Sequence, residues 1–153
     1  MMVIRQAEAK DVSRIAEILV FSNRVNFYPI FKDDEYSFDE LQVVRIAEEY
    51  AGNPEKLGNT LVYDDGVIRG MINMNGDEIC KLFVDPFFTG RGYGAALLEY
   101  AVENFGVKWL WALEVNEGAV RFYQRHGFVL TDEKVLEEGT DKYLVKMVLR
   151  KEA

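Results

Sequence analysis

The chain has 153 residues, 49% hydrophobic and 13% aromatic, enough apolar surface to fold one domain and too much for a disordered chain. Eighteen basic residues against 26 acidic ones leave a formal charge of -8, which opposes any partner held through a phosphate backbone and so disfavours nucleic acid. Cys80 is the one cysteine, so no internal disulfide can form and the cytoplasm is the expected compartment; no apolar run approaches the roughly 20 residues of a membrane span, and no leader pattern is present.

Val3 to Arg5 reads as a short strand, followed by a helix in which Val12, Ile15 and Leu19, with Ser22 or Asn23, share a face. The pattern breaks between Asn26 and Tyr36. Ser37 with Glu40 then forms a capping box for a second helix from about Phe38 to Tyr50. Thr60 to Tyr63, Val67 to Asn73 and Ile79 to Val84 alternate as strands around turns at Asp64-Asp65-Gly66 and Gly76-Asp77, an antiparallel meander. A glycine cluster leads into a helix carrying Leu97, Leu98, Ala101, Val102 and Phe105, stopped by Gly106. A strand from Lys108 to Leu113 follows. Asn116 caps a helix that Gly127 stops, and strands at Phe128 to Val135 and Tyr143 to Leu149 end the chain. The order βααβββαβαββ predicts one α/β domain over residues 1–153, with a mixed, mostly antiparallel central sheet of about seven strands flanked by four helices.

Between the third meander strand and the next helix lies Val84-Asp85-Pro86-Phe87-Phe88-Thr89-Gly90-Arg91-Gly92-Tyr93-Gly94-Ala95. Three alternating glycines at a helix start expose backbone amides to an anion and keep side chains out of its way. No Lys-Ser/Thr pair closes the loop, which excludes a nucleotide P-loop. Gly90, Gly92 and Ala95 satisfy the looser dinucleotide fingerprint, but Asp85 to Thr89 intervene between strand and first glycine, and too few parallel units follow for a doubly wound sheet.

Thr89-Gly90-Arg91-Gly92-Tyr93-Gly94 resembles the acetyl-CoA loop of the GNAT superfamily of N-acetyltransferases, Arg/Gln-x-x-Gly-x-Gly/Ala, except at Thr89. A second motif of that family, Asn-x-x-Ala-x-x-Phe-Tyr-x-x-x-Gly-Phe, is matched by Asn116, Ala119, Phe122, Tyr123, Gly127 and Phe128. The resemblance implies a GNAT fold and an acetyl-CoA-dependent N-acetyltransferase acting on a primary amine, of a small molecule or a protein, by direct attack in a ternary complex. It implies that backbone groups of Leu82, Phe83 and Val84 pair with the pantetheine arm, that amides from Gly90 to Ala95 hold the pyrophosphate, and that Asn116 contacts the arm. Arg91 is expected to compensate for the long donor missing at Thr89. The alternative, motivated by Thr89, is a CoA-binding module without catalysis.

Acyl transfer needs a neutral nitrogen, a stabilised oxyanion and a donor for the departing thiolate. Tyr123 matches the family tyrosine that serves the leaving sulfur. Glu78, 14 positions before Gly92, corresponds to the general base of the histone acetyltransferase branch; Glu114, after the fifth strand, is the next candidate and is also expected near the acceptor, with water the third option for the base. Tyr28 and Phe31, among the aromatics of the segment that roofs the acceptor site in this family, are expected to hold substrate. His126 is expected to be structural at a helix end, and Cys80 to pack. Neither belongs to a metal-ligand cluster, so no metal is expected. The expected partners are acetyl-CoA and an amine; a membrane is not among them, and a homodimer stays open.

Overall fold

The structure, a computed structural model, describes residues 3–150. Its elements are β1 (Ile4–Gln6), α1 (Val12–Phe31), α2 (Val43–Ala51), α3 (Pro54–Gly58), β2 (Thr60–Asp64), β3 (Ile68–Asn75), β4 (Glu78–Val84), α4 (Tyr93–Phe105), β5 (Trp109–Leu113), α5 (Glu117–Arg125), β6 (Phe128–Leu136) and β7 (Tyr143–Leu149). The strands are ordered β1-β2-β3-β4-β5-β7-β6. β4 runs parallel to β5, while the β1–β2, β2–β3, β5–β7 and β6–β7 pairs are antiparallel. Among the described residues no helix is long and apolar enough to cross a membrane.

The chain packs as two units, one built from the residues up to Asn73 with Lys81–Tyr100, the other from Met74–Cys80 with the residues from Ala101 on. In the first, the 3.6-residue period of α1 buries Ile15, Ile18, Leu19 and Ser22. Ile15, Ile18 and Leu19 join Leu41, Tyr50, Val62 and Met71 in one cluster, with Ile46 and Phe83 packed against it. Arg5 fixes where α1 begins: its guanidinium grips both Asp11 oxygens at 2.8 and 3.0 Å and reaches Asp64 at 3.0 Å. That pairing holds the Asp11 carboxyl below the usual range. In the second unit, β5 lies against β7 from Trp109↔Val148 to Leu113↔Leu144, burying Leu110, Ala112, Val145 and Met147.

Among the described residues the expected helices and strands recur in order, with a short additional helix, and the differences of detail lie between Asn26 and Gly58. α1 runs past the aromatic-rich break, tolerates Pro29 in its last turn, and stops only when Lys32 turns left-handed at φ 52°. The expected Phe38–Tyr50 helix is divided. A π-turn over Tyr36–Glu40 ends at Leu41, whose extended backbone sends its side chain into the core, and α2 starts beyond it. Burying Leu41 outweighs the local capping signal of Ser37 and Glu40. α3 is a short extra helix with Pro54 in its first turn and the Asn53 side chain accepting from the Lys56 amide.

One position shows how closely the first unit packs. A Cβ on Gly70 would lie 2.9 Å from the Phe83 carbonyl oxygen and 3.2 Å from Leu97 Cδ1. Gly70→Ala should therefore cost about 1–3 kcal/mol in urea unfolding. Gly118→Ala, whose Cβ meets nothing closer than 4.0 Å on α5, should be neutral or mildly stabilising.

Candidate functional site

In the first unit the end of β4 is held by groups that decide which of its backbone atoms remain available. The two residues between β3 and β4 allow only an antiparallel hairpin. The Asp85 amide donates to the Arg69 carbonyl of β3 at 2.9 Å. The Phe83 carbonyl oxygen also lies against Gly70 of β3, and neighbouring residues turn their backbone groups to opposite sides of a strand, so those of Val84 face away from β3. The outward Val84 carbonyl accepts from the buried Ser22 hydroxyl at 2.9 Å. The Val84 amide is thus a candidate for holding a ligand on this edge. The Phe83 side chain packs edge-on against Phe27 at 6.4 Å.

The loop that follows starts from a fixed point. Asp85 caps the Pro86–Phe88 turn through the Phe87 amide at 2.9 Å and pairs with Arg14 at 2.9 Å. Thr89 is exposed at the turn's end. Gly90 and Gly92 have φ of 77° and 87°, and a Cβ on either would meet nothing within 4 Å. Packing within the chain does not require these glycines; backbone conformation does, and the space above them is clear for a ligand. The Ala96 amide bonds the Gly92 carbonyl at 3.0 Å, so Tyr93, Gly94 and Ala95 carry the unused amides of the first turn of α4. The Arg91 guanidinium lies 5.7 Å from the Phe88 ring centre, and Arg69 stacks on the same ring at 4.4 Å.

Tyr28 and Phe31 lie half-buried on the last turns of α1. The Tyr28 ring meets Phe38 at 4.9 Å and its hydroxyl donates to Asp34, which holds the phenol above its ordinary pKa. Arg24 ties this segment together by donating to the Ser37 and Leu41 carbonyls at 2.9 and 3.1 Å while stacking on Phe21 and Phe38.

In the second unit Glu78 opens β4 opposite Trp109. Burial, with Asp77 beside it, raises its carboxyl, and Lys146 opposes that only in part. Trp109 donates to Asp77 at 2.9 Å and lies under the Lys146 ammonium at 4.6 Å. Glu114 is five residues beyond Trp109, roughly 16 Å along the strand at 3.3 Å per residue. The two carboxylates therefore sit at opposite ends of β5 and cannot share one proton. Tyr123 is half-buried between the edges of Phe122 and Phe128, at 5.2 and 5.8 Å, and desolvation pushes its phenol well above the ordinary value. Asn116 spends its oxygen capping α5 through the Ala119 amide at 3.3 Å, which leaves its amide nitrogen to donate elsewhere. His126 forms the backbone cap at the other end of α5, whereas Cys80, expected to pack, is exposed.

Comparison with known proteins decides the family. The acetyltransferase (GNAT) family model matches residues 7–128. The chain belongs to that family. This GNAT chain is an acyltransferase, 30% identical over 130 residues to the peptidyl-lysine N-acetyltransferase YiaC of Escherichia coli, covering 84% of each protein. Its fold matches an N-acetyltransferase from Staphylococcus aureus at a TM-score of 0.76, with 18% identity over 97% of this chain and 100% of that one. It also matches the PaiA N-acetyltransferase of Thermoplasma acidophilum, solved in complex with coenzyme A, at 0.67 with 18% identity over 94% and 96%.

Because the folded state raises the Glu78 carboxyl, it binds that proton more tightly than the unfolded chain does. The group's stabilisation is complete below its unfolded pKa and is lost as pH rises through the folded one. Glu78→Gln, which does not ionise, should unfold at a higher urea concentration than the unmodified chain at neutral pH. That gain should vanish near pH ~4, where the unfolded glutamate is itself protonated.

Proposed function

We propose that this chain transfers an acetyl group from acetyl-CoA to a primary amine by direct attack in a ternary complex. The glycine loop carries the reading: two glycines with positive φ and open space above them precede unused amides at the start of a 13-residue helix, the chemistry of a pyrophosphate site. Tyr93, Gly94 and Ala95 donate these amides, and Arg91 adds a cation within the loop where Thr89 has no long donor. The Leu82 and Val84 backbone groups take the pantetheine arm as an added strand would, and the Asn116 amide nitrogen donates to it. The name of the YiaC relative supports a lysine side chain of a protein as acceptor, with Tyr28, Phe31 and Glu114 on the acceptor side.

Glu78 accepts a proton from the attacking amine through water, and its raised pKa makes it a better base than an ordinary carboxylate. As the nitrogen bonds to the carbonyl carbon, a backbone amide near Val84 donates to the developing oxyanion. The carbon–sulfur bond then breaks toward Tyr123. A thiol titrates near 8.5, far below a phenol raised by burial. Tyr123 therefore stays protonated and serves the thiolate as a hydrogen-bond donor, and solvent supplies the proton. A second reading, CoA binding without turnover, is favoured by the short, exposed Thr89 alone; thiol release from acetyl-CoA over a panel of amines separates the two.

Tyr123→Phe should lower kcat about 10- to 100-fold, the worth of one hydrogen bond to a charged group, while CoA affinity by calorimetry changes less than about twofold. An unchanged kcat removes Tyr123 from the mechanism. Gly92→Val forces a branched side chain to φ near 87° and into the ligand's space. A folded variant, checked by circular dichroism, should bind CoA about tenfold more weakly or worse. Unmodified affinity would refute the loop as the pyrophosphate site.

A further inference from the structure

In the second unit β6 leaves its ladder with β7: Leu130 pairs with Met147, but the next pair is Lys134 with Val145. Three residues of β6 thus stand against the single Lys146 of β7, and Thr131 closes the bulge by donating to the Lys146 carbonyl at 3.0 Å and accepting from the Glu133 amide at 3.2 Å. Under this bulge lies a cavity of about 310 Å³ lined by Glu114, Val120, Leu130, Asp132, Lys134 and Val145 among others. Paired residues share a sheet face, so Lys134 stands on the same face as the buried Val145. At the end of its stem the ammonium meets Glu114 Oε2 at 3.0 Å and the Tyr143 ring at 4.7 Å.

An apolar floor, one carboxylate and one aromatic face are what an alkylammonium requires. Here the chain's own lysine fills the position. Resting on the amine-acceptor reading above, the geometry points to Glu114 and Tyr143 as a holder for a lysine-like alkylammonium of the acceptor other than the amine that reacts, which Lys134 occupies as an internal competitor. The side chains of Glu114 and Lys134 are 46% and 44% exposed, and ion pairs so open to water are weak, so Lys134 is easily displaced. Without it, Glu114 and Asp132 leave the cavity with uncompensated negative charge. Lys134 thereby sets how strongly a cationic acceptor must bind to enter.

The test is binding, which needs no turnover. Backbone amide shifts from Glu114 to Tyr143 are followed by NMR while n-butylammonium is titrated at low salt into the unmodified chain, Lys134→Met, and Lys134→Met with Glu114→Gln. Lys134→Met should bind n-butylammonium about two- to fivefold more tightly, the equivalent of one exposed ion pair. The double variant should lose that gain, and neutral 1-butanol should show none. Equal or weaker n-butylammonium binding by a folded Lys134→Met overturns the proposal, as does an equal gain for 1-butanol. Amine binding with this pattern but no thiol release from acetyl-CoA would refute the transferase reading and leave the holder standing. Turnover with no effect of Lys134→Met on binding would do the reverse.

Discussion

Backbone alternation at the end of β4 is the constraint from which the first half of the site follows. Once the Asp85 amide bonds to Arg69 of β3, the neighbouring Val84 must present its amide and carbonyl to the other side. A buried carbonyl without a donor costs about 1–3 kcal/mol, and Ser22 meets that demand from the core face of α1. Ser22 thereby leaves the Val84 amide as the atom aimed away from β3. Asp85 finishes the construction by capping the next turn while paired to Arg14, so the glycine loop begins from a point fixed by three separate contacts.

The second unit is organised by the length of β5. Its ladder with β7 places Trp109 and Leu113 at opposite ends, and this separates two acidic side chains of the same chemical type into different environments. Glu78 pairs at the Trp109 end, where burial and Asp77 raise it. Glu114 follows the other end, exposed and bonded to Lys134. A carboxylate whose charge is disfavoured suits proton abstraction, whereas one already holding an ammonium suits recognition. The assignment of Glu78 as base and Glu114 to the acceptor rests on that contrast.

The strands and the last two helices were legible because their signals are local and agree with the packing. Gly106 and Gly127 stop α4 and α5 with φ of 66° and 92°, and Asn116 caps α5 as its position implies. The detail from Asn26 to Gly58 is not legible in the sequence because long-range burial decides it: Leu41 breaks a helix that Ser37 and Glu40 would otherwise start. The role of Ser22 had a faint signal, its place in phase with Ile15 and Leu19, but the sequence does not say which carbonyl a buried hydroxyl will meet. The pairing of Lys134 with Glu114 had none, since it depends on a bulge in β6 whose extra residues carry no glycine or proline.

The charge of the chain poses a problem that the loop answers locally. A formal charge of -8 repels a polyphosphate at long range, but mobile ions screen that repulsion within a Debye length of about 8 Å at physiological ionic strength. In the proposed mode of binding the ligand meets at contact the unused amides of α4 with Arg91 beside them, and Arg69 packs on the same Phe88 ring. Arg69 is partly neutralised by Asp65 at 3.0 Å, which leaves Arg91 as the loop's free-standing cation in the proposed mode of binding. The same net charge favours the approach of an ammonium. On that proposal, Thr89 in place of a long donor does not strip the loop of positive charge; Arg91 carries it two residues on, between the two glycines.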